Sequence, residues 1–155
     1  MLKLSAVEFV ARAIPESFLL IFGVYAFSNT EINKKRYLFS SVLILIMVFI
    51  IRALPISYGV HTILSIMVII ALSRSINKID TIKSIKGTII TIIVQLLCEG
   101  INILMIQYIF RKDINNIFGN PKMKIIYGIP SLGIFMCIII LHYIILLKRE
   151  ESQYV

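Results

Sequence analysis

Gln95, Glu99 and Asn102 stand in a stretch that is otherwise almost wholly apolar. Offsets of four and seven residues set all three on one face of a helix. A carboxylate flanked by two amides can bind an ion or polar ligand, carry a proton, or hold a neighbouring helix by hydrogen bonds. Glu99 has no basic residue within a turn of it along the chain. It must therefore be protonated, reach water, or meet a cation from another segment, for which Arg12 is a candidate. A second polar set, Glu8, Arg12 and Glu16, is spaced four apart and also shares a face. Arg12 can pair with either of these carboxylates. The set reads as a self-neutralising ladder snorkelling to an interface, or as a contact surface for a ligand or partner helix.

Other reactive side chains are isolated. His61 and His142 belong to no metal-ligand spacing, and a buried, hydrogen-bonded state is expected of each. Cys98 and Cys137 form no CxxC pair and read as inert buried thiols. Pairing Cys98 with His61 as nucleophile and base has no local motif behind it. The sequence carries no GxxxxGK[ST] phosphate loop, no GxSxG elbow and no paired-cysteine zinc motif. The expectation is a non-catalytic protein without cofactor or metal.

The elements that must position these residues are five apolar stretches. Of the 155 residues, 59% are hydrophobic, and the mean hydropathy is +0.94. A helix needs roughly 20 mostly apolar residues to cross the hydrocarbon core. The pattern predicts an all-α integral membrane bundle of about five transmembrane helices, at 4–27, 37–51, 56–72, 87–110 and 125–147, forming one membrane domain. Pro55 lacks an N–H and biases Leu54 away from helix, which predicts a tight break between the second and third spans. Gly119, Asn120 and Pro121 mark a turn before the fifth. Residues 73–86 place an isoleucine at every third position with Lys78, Lys83 and Lys86 between. This suits a helix lying in the headgroup plane, the alternative being an extension packed on the next span. Glu8, Arg12 and Glu16 interrupt the region where a signal peptide would need an uncharged core.

Sixteen Lys and Arg against eight Asp and Glu give a net charge of +8. No aromatic-interleaved basic patch accompanies it, so the expected partner is the lipid bilayer and not nucleic acid. With five spans, one side collects Lys34, Lys35, Arg36, Arg74, Lys78, Lys83, Lys86, Lys148 and Arg149. The other collects Lys3, Arg52, Arg111, Lys112, Lys122 and Lys124. The larger set predicts a multi-pass cell-membrane protein with a cytoplasmic C-terminus and an outside N-terminus.

Two short patches carry a family likeness. Leu54, Pro55, Gly59, His61 and Thr62 form an LP-x-x-x-G-x-H-T pattern, and Gly128 to Leu132, with Pro130 at the centre, read G-I-P-S-L. These stretches resemble the N-terminal membrane regions of peptide-sensing (Agr-type) histidine kinases of low-GC Gram-positive bacteria. In those kinases several spans precede a cytoplasmic dimerisation helix and a GHKL-type ATP-binding module. The 155 residues contain neither. The resemblance therefore implies a sensor-like or interaction module that captures a hydrophobic or peptide ligand and relays the event to a separate histidine kinase or other membrane signalling protein. A decoy or assembly factor for such a kinase is equally implied. The membrane endopeptidase that processes Agr-type peptides needs a histidine and a cysteine close in sequence, which His61 and Cys98 are not. From the residues alone, the alternative is a small transporter or channel subunit with a polar intramembrane site around Glu99. It would need a homo-oligomer to enclose a path.

Overall fold

The computed structural model describes residues 12–54, 58–108 and 121–153, and statements of absence below concern these residues. They are all-α: α1 (Ile14–Ser28), α2 (Lys34–Ala53), α3 (Tyr58–Ser75), α4 (Thr81–Tyr108) and α5 (Pro121–Gln153). The helix ends have local causes. Asn29 turns left-handed (φ 51°) and closes α1 as the N–H groups of Asn29 and Thr30 reach back to the carbonyls of Ala26 and Tyr25. Asn33 Oδ1 accepts the Arg36 N–H at 3.3 Å and caps the start of α2. Leu54, after α2, is extended (φ −73°, ψ 139°), the conformation that a following proline favours.

α1 is the axis of the assembly. It packs on α2, α4 and α5 and touches α3, while α2 to α5 form an arc in which each helix packs on the next. Nine of its 15 residues are buried, because apolar residues point to both sides. Leu20, Ile21, Val24 and Tyr25 meet Ile44 of α2, Ile69 of α3 and Ile92 of α4. On the other side Ala26 meets Cys98 of α4 and Phe135 and Ile139 of α5.

The core is apolar but carries several polar side chains, and the outer surface is rich in large apolar ones. Glu16, Ser17, Thr88, Thr91, Asn102 and Ser131 are buried, whereas Phe39, Ile63, Met67, Leu97, Leu141 and Ile145 are each about 60% exposed. Two helical segments, Thr81–Tyr108 and Ile126–Arg149, are long and apolar enough to cross a bilayer; Ile14–Ser28 and Gly59–Ser75 are shorter apolar helices.

Several expected boundaries move. α2 takes in Lys34, Lys35 and Arg36, and α3 continues to Ser75. Residues 73–86 do not form a helix of their own: a connection at 76–80 ends α3, and Lys83 and Lys86 lie in the first turns of α4. Ile79, in the connection that folds α3 back toward α4, enters the core at 2% exposure, while Ile82, in the first turn of α4, stands 77% exposed. Residues 1–11 and 109–120, which include Glu8 and most of the expected Gly119–Pro121 turn, lie outside the described residues.

Candidate functional site

The two polar sets meet across the contact between α1 and α4. Arg12 Nη2 lies 3.0 Å from Glu99 Oε1, an ion pair joining segments 87 residues apart. One turn away, Gln95 Nε2 donates to Glu16 Oε1 at 2.8 Å. Moving from Arg12, in the helical turn leading into α1, to Glu16 on α1 answers to moving from Glu99 to Gln95 along α4. The helices are thus antiparallel, and their four-residue spacings match as two rungs of a ladder. Sequence spacing allowed Arg12 to pair within its own helix; in the structure its ion pair goes to Glu99, and Glu16 takes an amide from α4. A carboxylate and a guanidinium within contact distance cancel each other's charge, which solves the problem of an acid placed on an apolar helix.

Close approach of the two helices brings the rungs within reach, and small residues make it. A Cβ on Gly87 would lie 2.9 Å from the Val24 carbonyl oxygen, and one on Gly23 would lie 2.6 Å from Thr91 Cγ2. Thr91 is held by its own hydroxyl, which donates to the Gly87 carbonyl at 2.6 Å. These contacts were not singled out from the sequence. Their signal is the recurrence of small residues at Ser84, Gly87, Thr88 and Thr91, all buried on α4.

α5 closes the ladder. Asn102 Nδ2 donates to the Tyr127 carbonyl at 2.6 Å. That carbonyl lies in the turn just ahead of Pro130, which stands inside α5 and leaves the Ile126 carbonyl without its usual N–H partner. The adjacent Gly128 lets Arg12 lie against the α5 backbone: a Cβ there would be 3.1 Å from Arg12 Nη1. α4 is therefore cross-linked by polar side chains to three helices: Ser84 to the Ile70 carbonyl of α3, Gln95 and Glu99 to α1, and Asn102 to α5.

The ladder is graded in accessibility. Glu16 is buried at 6% exposure, while the Arg12 and Glu99 side chains keep 24% and 34% exposure. Arg12 Nε is buried without a hydrogen-bond partner. The site thus has an engaged, closed end at Glu16–Gln95 and an open end at Arg12–Glu99. Chemically its open end is a charge-paired clamp that offers a guanidinium N–H and carboxylate lone pairs.

The remaining expected residues are dispersed. Of the family-like motif, Gly128 and Pro130 belong to the ladder's surroundings. Leu54 follows α2 in extended conformation, Pro55 lies outside the described residues, and Gly59 has open space around it. His61 and Thr62 lie near the start of α3, half-buried. His142 departs from its expected hydrogen-bonded state: its ring packs on Phe27 with centroids 4.6 Å apart, and Nδ1 is buried without a partner among the described residues. Both cysteines are free, but Cys137, expected to be buried, is exposed on the outer face of α5. Among the described residues no three His, Cys, Asp or Glu side chains converge on a metal-sized site. No family model matches the chain, and no curated protein or solved structure matches it.

Proposed function

We propose that this chain is a five-span membrane bundle acting as a non-catalytic sensor-like or interaction module, with its C-terminus on the cytoplasmic side. Support for the membrane comes from the many large apolar side chains exposed on the outer surface and from how little of the two longest apolar helices the fold covers. Only 28% and 17% of their most apolar windows are buried, whereas the core helix of a water-soluble protein is mostly covered.

The observation that carries the functional reading is the Arg12–Glu99 pair. A carrier of protons or cations needs an acid it can load and unload, and here the acid is engaged by a guanidinium from another helix. A charge clamp between two helices, open at one end and touching a third, suits a module whose helices rearrange when a ligand or partner competes for either charge. The proposed partner, a histidine kinase or another membrane signalling protein, rests on the likeness of the Leu54–Thr62 and Gly128–Leu132 patches. The second reading, a small transporter or channel subunit, is favoured by the 34% exposure of Glu99.

Affinity purification from gently solubilised native membranes, followed by mass spectrometry, tests the first reading; co-purification of a histidine kinase or its response regulator is expected. Ion flux into proteoliposomes that is abolished by Glu99→Gln would overturn it in favour of transport.

A further inference from the structure

One end of the bundle concentrates cations. The connections at 29–33 and 76–80 lie together there: Ile32 and Ile79 enter the same core cluster, and Ser28 Cβ lies 3.2 Å from the Cβ position of Gly87. The last turns of α5 run to this end, as His142 packs on Phe27 near the end of α1. Lys34, Lys35 and Arg36 open α2, and Arg74 closes α3. Lys78 follows in the connection, Lys83 and Lys86 lie in the first turns of α4, and Lys148 and Arg149 lie late in α5. All but the half-buried Arg36 are exposed, and none forms an ion pair among the described residues. The acids with described side chains at this end are Glu31 and Asp80; Glu150 and Glu151 follow Arg149 in the sequence.

Two further features make this end electrostatically incomplete. The first turns of α2 and α4 contain no acidic residue and carry lysines, although a helix N-terminus is the positive end of its dipole. Like charges and dipoles thus reinforce one another, opposed at this end only by Glu31 ahead of α2 and Asp80 ahead of α4 among the described side chains. The cations also border exposed apolar surface: Ile82, Ile85 and Ile89 on α4 are 77%, 40% and 43% exposed beside Lys83 and Lys86. A free phosphate would use only the charges. A phospholipid uses both, with its phosphate on the cations and its acyl chains against the isoleucines.

Building on the membrane-spanning reading, we propose that this end binds anionic phospholipid headgroups, with Arg74, Lys78, Lys83 and Lys86 as the phosphate contacts. A cation near a membrane surface favours anionic lipid by roughly fivefold, and salt screens that attraction.

The test is lipid selectivity in reconstituted vesicles, measured with spin-labelled phosphatidylglycerol against spin-labelled phosphatidylcholine. At low salt the protein is expected to associate with phosphatidylglycerol at least about fivefold more strongly. The preference should collapse at ~1 M salt, where the Debye length is about 3 Å. It should also fall in Lys78→Gln/Lys83→Gln/Lys86→Gln, with the buried Cys98 thiol still unreactive as proof of folding. If that variant unfolds, Arg74→Gln/Lys78→Gln reads the same contacts. Equal association of both lipids at low salt overturns the proposal. So does displacement of phosphatidylglycerol by inorganic phosphate at matched ionic strength, which would assign the site to a free anion. Failure of the protein to float with vesicles would instead remove the membrane reading, and this proposal with it.

Discussion

Replacing Arg12 by Met and Glu99 by Gln, singly and together, isolates the clamp between α1 and α4. Glu99→Gln keeps shape and acceptor but removes the charge, and Arg12→Met keeps an apolar stem against Gly128. At ~4 Å between charge centres and an effective dielectric of ~20, the gross attraction is about 4 kcal/mol. Removing one member of a fully buried pair costs about 3–5 kcal/mol, because the other charge is stranded. Here the side chains are 24% and 34% exposed, so water screens what remains and the expectation drops to about 2 kcal/mol for each single substitution. The double substitution strands neither charge and should cost no more than either single one, giving a coupling energy of about 2 kcal/mol. The chain has no tryptophan, but Cys98 is buried at 1% exposure. In a Cys137→Ser background, thiol reactivity of Cys98 across an SDS titration in mixed micelles reports unfolding of this interface. If the two single effects simply add, to within about 0.5 kcal/mol, the pair does not act as a unit and the clamp argument fails.

Four further outcomes are expected. Gly87→Ala should destabilise by about 1–2 kcal/mol despite its better helix propensity, since the new Cβ meets the Val24 backbone oxygen, which cannot rotate away. Gly100→Ala and Gly133→Ala, which meet nothing within 4 Å, should instead be neutral or stabilise by up to ~1 kcal/mol; the same titration ranks all three, and a neutral Gly87→Ala would refute the close helix contact. Asn102→Leu should cost about 0.6–1.7 kcal/mol through loss of its bond to the Tyr127 carbonyl, a result contradicted by unchanged stability. Finally, Cys137 is exposed on α5, yet a charged, water-soluble maleimide should leave it unlabelled in sealed or open vesicles and modify it once SDS is added. Rapid labelling in open vesicles would show that this face of α5 meets water instead of lipid.

The described helices and most of their junctions follow from local sequence. Five apolar stretches and Pro55 after Leu54 act through neighbours a few residues away, so composition and spacing suffice to read them; the Asn33 cap that starts α2 at Lys34, ahead of the expected Tyr37, was not singled out. Local reasoning left two options at 73–86, a helix in the headgroup plane or an extension packed on the next span; only residues 81–86 take the second, as the first turns of α4. Burial of Ile79 in the core and the bond from Ser84 to the Ile70 carbonyl depend on α3 and α4 folding back on each other, which no short window records. The site divides in the same way. The sequence by itself determined that Glu16 and Glu99 sit on apolar helices with polar residues a turn away, and that Glu99 needs protonation, water or a distant cation. Which of these applies was decided by tertiary structure alone: packing α1 antiparallel to α4 through Gly23 and Gly87 brings Arg12, 87 residues away, to 3.0 Å from the Glu99 carboxylate. Coulomb attraction acts through space, and spatial proximity across a helix interface is set by which side chains are small enough to let two backbones meet.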